Sequence, residues 1–276
     1  MQPRAPRPVT TEFLLAGVDP DGHEGIEDAR AAAAFIEDTA EEFADLQERL
    51  FAESRAGGTR SLLLVLQATD TAGKGGIVRH VVGLVDPQGV RITSFKAPTA
   101  EERAHDFLWR IRAALPGPGM IGVFDRSHYE DVLIHRVRGL SAPEVVEARY
   151  GTIRDFEAEL VAGGTTIRKV MLQISKGEQR ERLAERLDRP DKHWKFNPGD
   201  IDERELWDEY QEAYQIAIER TTTPEAPWYV IPANRKWYAR WAVYAILLET
   251  LRELDPQWPV ADFDVEAERL RLATSG

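Results

Sequence analysis

Residues 62–82 read LLLVLQATDTAGKGGIVRHVV. Leu62, Leu63, Leu64, Val65 and Leu66 make an apolar run without polar alternation, the pattern of a strand covered on both faces in a parallel sheet. Ile77, Val78, Val81 and Val82 then recur at helical spacing, which predicts a helix with one face on the core. Between them lies a turn of small residues carrying a Gly-Lys pair. Strand, turn, lysine and helix in that order form a phosphate-binding loop. Backbone N–H groups and a helix N-terminus offer partial positive charge there, and the lysine adds a full one. The stretch therefore predicts phosphoryl chemistry.

Against the pattern G-x-x-x-x-G-K-[ST], Ala68 takes the first glycine position, while Gly73 and Lys74 keep the spacing. Gly75 replaces the hydroxyl residue that would bind magnesium. A metal-dependent site then needs an oxygen ligand from elsewhere, and Asp70 inside the loop is the candidate. Thr71, Ala72, Gly73, Lys74, Gly75 and Gly76 are the expected phosphate cradle. The competing reading is that GKGG only caps a strand and opens a helix.

With 276 residues the chain can form one large α/β domain or two small ones. No apolar stretch reaches the ~18 residues of a membrane span, and residues 1–23 read as a loose tail without a secretory h-region. A soluble, cytoplasmic protein is expected. The absence of cysteine excludes disulfides, thiolate metal sites and cysteine nucleophiles. A net charge of −12 argues against a nucleic-acid binder, whose surface is normally basic. It leaves room for a polyanionic substrate, because the local field governs binding.

Residues 24–55 carry the stripe Ile26, Ala29, Ala33, Ile36, Ala40, Phe43, Leu46 and Leu50, which predicts a long amphipathic helix. Further apolar runs at Val90–Ser94, Met120–Phe124, Arg168–Ile174 and Trp228–Ile231 read as strands. Helical patterns lie between and after them, at about 99–115, 141–162, 176–188 and 235–254. This alternation predicts a three-layer α/β sandwich of the P-loop kinase kind: a mostly parallel five-stranded sheet with helices on both faces. Residues 24–276 form a single domain in this reading, with a helical lid insertion at about 186–220. Ligands of such sheets sit at the carboxyl ends of the strands.

The third strand ends in Asp125-Arg126-Ser127-His128-Tyr129-Glu130-Asp131. An acid directly after an apolar strand, beside a phosphate loop, fits a Walker-B role in holding magnesium. Arg126 would add a cation for phosphate oxygens. A turn residue with a local ion pair is the alternative. His128 reads as packed or capping, since transfer between phosphates needs no general base. Nine cations (Arg168, Lys169, Lys176, Arg180, Arg182, Arg186, Arg189, Lys192, Lys195) face five carboxylates between residues 168 and 195. That excess favours an anion-facing lid over a salt-bridged surface helix. Trp194 and Trp207 read as packing the underside of that lid, and Trp228, Tyr229, Trp237, Tyr238 and Trp241 as core or interface.

QATDTAGKGG, DPQGVRITSFKAPTAEERAHDFLWR, FDRSHYEDVLIHRV, RLDRPDKHWKFNPGDIDERELWDEYQEAY and APWYVIPANRKWY occur in this order. Together they resemble the polyphosphate kinase 2 family over about residues 20–255. The resemblance implies transfer of the terminal phosphoryl group of inorganic polyphosphate to a nucleoside di- or monophosphate (adenine or guanine), reversible in some members. It also implies magnesium, with manganese as a substitute, held by Asp70 and Asp125. Lys74 and Arg126 would grip phosphates, and Arg186, Lys192, Trp194 and Lys195 match the lid motif. Arg136 would contact polyphosphate, and Lys96 belongs to the family pattern without a derivable role. Glu130, in SHYED, resembles the subgroup accepting both AMP and ADP, although many of that subgroup carry Asn at the position of Asp125. A dimer or tetramer, with no nucleic-acid or membrane partner, completes the expectation. An ATP-dependent nucleoside monophosphate kinase and a non-catalytic phosphate-sensing module are the rival readings.

Overall fold

The computed structural model describes residues 3–275. In chain order its elements are α1 (Ala29–Arg55), β1 (Ser61–Ala68), α2 (Lys74–His80), β2 (Val90–Ser94), α3 (Trp109–Ala114) and β3 (Ile121–Asp125). There follow α4 (Ile134–Val137), α5 (Pro143–Ala162), β4 (Thr165–Gln173), α6 (Lys176–Asp188), α7 (Gly199–Glu205), α8 (Trp207–Thr221), β5 (Trp228–Pro232), α9 (Lys236–Leu254) and α10 (Val265–Thr274). The strands form one sheet in the order β2-β3-β1-β4-β5, and every pairing is parallel. All carboxyl ends therefore share one edge, and the order reverses at β1.

The apolar run of β1 serves two cores. Leu62, Leu64 and Leu66 point into a cluster built with α1, α2 and α9, whereas Leu63 and Val65 point into one built with α3, α5 and α8. Side chains of a strand alternate faces, so an unbroken apolar run is what a central strand between two helical layers requires. Trp228, Tyr229, Tyr238 and Trp241 are buried as expected, and Trp237 packs against the first cluster.

Several boundaries differ from the sequence reading. α1 starts at Ala29, not residue 24, because Gly25 takes φ +87° and Asp28 caps the helix, accepting from the Ala31 N–H at 2.8 Å. The helix expected over 99–115 is broken into a 3-10 turn at Glu102–Ala104 and the short α3. Asp106 explains the restart: its carboxylate accepts from the Leu108 N–H at 2.9 Å and offers the backbone a turn instead of a continuing helix. α10 has no counterpart in the sequence reading. The segment expected to be a loose tail runs along the body. Arg4 N donates to Gly25 O, Val9 N to Trp228 O, and Leu15 is buried. No helix among the described residues is long and apolar enough to cross a membrane.

Candidate active site

β1 delivers the loop Thr69–Gly73 to the sheet edge, and α2 begins at Lys74. Two loop residues leave the usual backbone regions: Gly73 has φ +118° and Thr71 has φ +67°. A positive φ is free for glycine but strained for threonine, so the surrounding structure has to hold Thr71 there. Lys74 folds back over the loop, its Nζ lying 3.4 Å from Ala68 O.

β3 delivers the second half of the site. Leu66 of β1 and Asp125 of β3 are register partners, and the Arg126 N–H extends that ladder to Leu66 O at 3.0 Å. Arg126 also has a positive φ, +62°. This backbone turn swings its guanidinium to Asp70, with Nη2 to Oδ1 at 2.7 Å, and to within 3.9 Å of Glu130. Burial alone would lower the Arg126 pKa, but Glu130 and Asp70 outweigh it and hold the guanidinium charged. Burial pushes the Glu130 carboxyl up, against the opposing pull of Arg126 and Lys74. Buried Gln67 lies within 3.0 Å of both Glu130 and Ser127.

Above the Asp70–Arg126 pair opens a cavity of about 210 Å³. Trp207, Tyr210 and Tyr214 of α8 give it an aromatic wall, and Leu133 and Ile134 add apolar lining. Asp200 and Glu203 of α7 close it from the lid side. Burial raises the Asp200 carboxyl, Asp70 adds to this, and Arg186 counters. The spacing of Trp207, Tyr210 and Tyr214 on one helical face was the available signal for this wall. The sequence reading gives only Trp207 of these a place, packing the underside of the lid, and the structure puts it on the cavity wall instead.

The structure brings Asp70, Arg126 and Glu130 onto one cavity, with Lys74 near enough for its charge to act on Glu130. Asp125 ends β3 and is not among the residues lining this cavity; its carbonyl accepts from the Phe95 N–H at 3.0 Å. Arg186 reaches the rim, held by Asp200 at 3.2 Å and by the carbonyl of Lys195. The other expected contacts point elsewhere. Lys192 binds Glu185 at 2.6 Å, the Lys195 ammonium lies 4.9 Å over the Trp194 ring, and Arg136 pairs with Glu212 at 3.5 Å. Lys96 is exposed in the turn after β2. Trp194, expected to pack under the lid, is 79% exposed.

The grouping of nine cations into one lid also needs correction. Arg168 pairs with Glu253 of α9 at 2.8 Å, and Lys169 is fully buried on Glu157 at 2.6 Å. Arg182 spends its donors on backbone carbonyls of the phosphate loop. Alternating strand positions sent Arg168 and Lys169 to different environments, which a charge tally cannot register. His128 sits buried at 3.3 Å from Glu157, among Tyr129 and Phe156.

A second cationic surface flanks the loop. Ala72, Gly73, Gly76 and Ile77 line a cleft with Lys236, Ala239 and Arg240 of α9. Burial lowers the Arg240 pKa and Arg79 lowers it further; burial, Arg240 and Arg79 likewise lower that of His80. Arg79 and Arg240 are the like charges that crowd here, while Lys236 has Glu185 within 3.9 Å.

A family model described as polyphosphate kinase 2 matches residues 27–259. A protein of Meiothermus ruber named AMP/ADP-polyphosphate phosphotransferase is 50% identical over 251 residues, covering 90% of this chain and 91% of its own length. A protein of Rhodopseudomonas palustris named ADP-polyphosphate phosphotransferase is 42% identical over 235 residues, covering 79% and 78%. The crystal structure of polyphosphate kinase 2 from Arthrobacter aurescens TC1 matches with a TM-score of 0.95 at 56% identity, covering 97% of this chain and 95% of that one.

Proposed function

Because the chain belongs to the polyphosphate kinase 2 family, we propose that its loop and lid pass the terminal phosphoryl group of inorganic polyphosphate to a nucleoside diphosphate, with a nucleoside monophosphate as a second acceptor and the reverse transfer also open. The observation that carries this reading is the Asp70–Arg126 pair at 2.7 Å, which joins the phosphate loop to the end of β3 at the mouth of the cavity.

The acceptor's terminal phosphate oxygen attacks the end phosphorus of polyphosphate in line, and the shortened polyphosphate leaves with the bridging oxygen. The attacking oxygen is already ionised near neutral pH, so alignment and charge neutralisation are the protein's task. The loop N–H groups and Lys74 receive phosphate oxygens, and Arg126 offers its remaining donors to the transferring group. Away from the loop, the acids lining the cavity, Glu130, Asp200 and Glu203, repel phosphate. That region suits the nucleoside, with sugar hydroxyls donating to the acids and the base lying against Trp207 and Tyr210. The cleft lined by Lys236 and Arg240 suits the remaining polyphosphate chain, whose negative charge relieves the repulsion between Arg240 and nearby Arg79.

Magnesium favours one or two carboxylates plus phosphate oxygens and water. No three acidic or histidine side chains cluster as a ready-made metal cage among the described residues. Asp70 and Asp125 lie at the ends of neighbouring strands, which suits an ion that completes its shell from substrate. Those two carboxylates would hold magnesium, or manganese in its place; when bound, the ion supplies further neutralisation of the phosphate oxygens.

Purified protein incubated with ADP, magnesium and polyphosphate, with no ATP added, is expected to produce ATP. No ATP under these conditions would overturn the proposal. A parallel incubation with AMP decides whether the monophosphate is also an acceptor.

A further inference from the structure

Arg182 of α6 has five N–H donors, and each one has an acceptor. Nε binds Glu178 at 2.6 Å. Nη1 binds the carbonyls of Thr71 and Ala72, both at 3.0 Å. Nη2 binds the carbonyls of Ala233 and Asn234, at 2.7 and 2.9 Å. One turn earlier Gln179 Nε2 donates to the carbonyl of Asp70 at 3.2 Å. Both side chains are buried, at 6% and 3% exposure. Three successive carbonyls of the phosphate loop are thus claimed by one face of α6.

We propose that Arg182 and Gln179 are positioning residues: they pull the carbonyls of Asp70, Thr71 and Ala72 away from the substrate side and so turn the N–H groups of Thr71 and Gly73 toward phosphate. The Ala72 N–H between them closes the loop on Thr69 O at 3.3 Å. A peptide unit is planar, so fixing its carbonyl direction fixes the opposite direction of the N–H on the next residue. The strained φ of Thr71 needs such an external hold. The same guanidinium ties the loop to the β5–α9 turn through Ala233 and Asn234, beside the cationic cleft.

The clamp also reaches the lid. Arg204 of α7 donates to Gln179 Oε1 at 3.1 Å. Movement of α7 therefore bears on the side chain that holds Asp70. A lysine at position 182 would keep the charge but lack the planar fork for four carbonyls and a carboxylate.

This role rests on the phosphoryl-transfer reading for its effect on rate, but not for its effect on the loop, and the test separates the two. In full-length Arg182→Lys, kcat with saturating polyphosphate is expected to fall roughly 10–100-fold, the usual penalty for about 1 Å of misplacement. Amide hydrogen exchange of residues 71–76 is expected to rise at least about tenfold, while β1 and α9 keep wild-type protection. Gln179→Met, a milder change, is expected to raise exchange at Thr71 alone and carries the test if Arg182→Lys does not fold. Unchanged loop exchange with unchanged kcat would overturn the proposal. So would a uniform rise in exchange over β1, α9 and the loop, which marks a purely structural arginine. Wild-type protein that makes no ATP from ADP and polyphosphate would sink the assigned reaction, while loop exchange would still decide the clamp.

Discussion

The cations on the loop side of the site and those on the lid side hold different kinds of partner. Arg182 is buried and bound mainly to backbone carbonyls, whereas Arg186, one helical turn later, is held by the carboxylate of Asp200 and one carbonyl at the rim. Lys192 is likewise held by Glu185, a half-exposed carboxylate. Carbonyls inside the protein have no alternative donor, so losing the guanidinium would leave them unsatisfied. The partly exposed Lys192–Glu185 pair contributes only about 0–1 kcal/mol. The Arg186 guanidinium, 22% exposed, keeps enough access to the cavity to change partners when a more highly charged one arrives. The loop side is therefore preset, and the lid side is free to trade carboxylate for phosphate.

The sharpest way to break this comparison is at the preset side. Lys74→Ala and Asp70→Asn are each expected to lower turnover by roughly 10²–10⁴, the range for electrostatic contacts to a transferring phosphoryl group. Steady-state rates on purified protein check this. Near-normal turnover in Asp70→Asn would take the carboxylate out of the chemistry and leave its bond to Arg126 as a purely structural one.

A second preset group lies under the opposite face of the sheet. Lys169 binds Glu157 at 2.6 Å, Tyr129 and the carbonyl of Thr221, and His128 approaches the same carboxylate. Burial raises the Glu157 carboxyl, but Lys169 and His128 pull it lower still, to below its ordinary value. Glu157→Gln leaves the ammonium buried without its counter-charge, which typically costs about 3–5 kcal/mol. Urea unfolding should show that loss, while kcat per folded molecule stays within about threefold. A larger fall in kcat would place this network in the working site rather than beneath it.

The lid side predicts effects of opposite sign from the two members of one pair. Arg186→Ala is expected to lower kcat/KM for polyphosphate roughly 10–100-fold and to flatten its dependence on salt. Asp200→Asn frees Arg186 and removes an acid from the cavity, so KM for polyphosphate should drop by roughly a few fold at low salt. If both variants weaken polyphosphate equally, the pair is structural and the notion of exchange fails.

Much of the loop side could be read in the sequence, because its signals are local. The run Leu62–Leu66, the spacing of Gly73 and Lys74, and an acid closing β3 each declare themselves within a few residues, and the five strands follow from the same periodicity. Arg182 could not be read this way. In the sequence it is one arginine among several on a charged helix, and its partners at Thr71 and Asn234 lie about 111 and 52 residues away. Trp194 and the misgrouped Arg168 and Lys169 share that cause: composition records how many charges or rings a segment holds, not which face each one takes. The cavity wall was half legible, since Trp207, Tyr210 and Tyr214 fall on one helical face, but their service to a cavity depends on where α8 crosses the sheet.

Glu130 stands between the two sides, and its titration gives the smallest predicted effect. Burial raises its folded pKa above the unfolded value near 4.5 despite Arg126 and Lys74. The folded state thus binds this proton more tightly than the unfolded chain does. Ionised Glu130 therefore costs stability above its folded pKa, and that cost vanishes as pH falls through the raised value to below 4.5. Glu130→Gln, neutral throughout, should melt higher than the wild type at pH 7.5 and equally at pH 4, at roughly 2–4 °C per kcal/mol for a chain of this size. Turnover should nevertheless fall, because the variant no longer helps Asp70 hold Arg126 in place. A melting difference that persists unchanged at pH 4 would mean that packing, not ionisation, separates the two proteins, and would move Glu130 to the preset side.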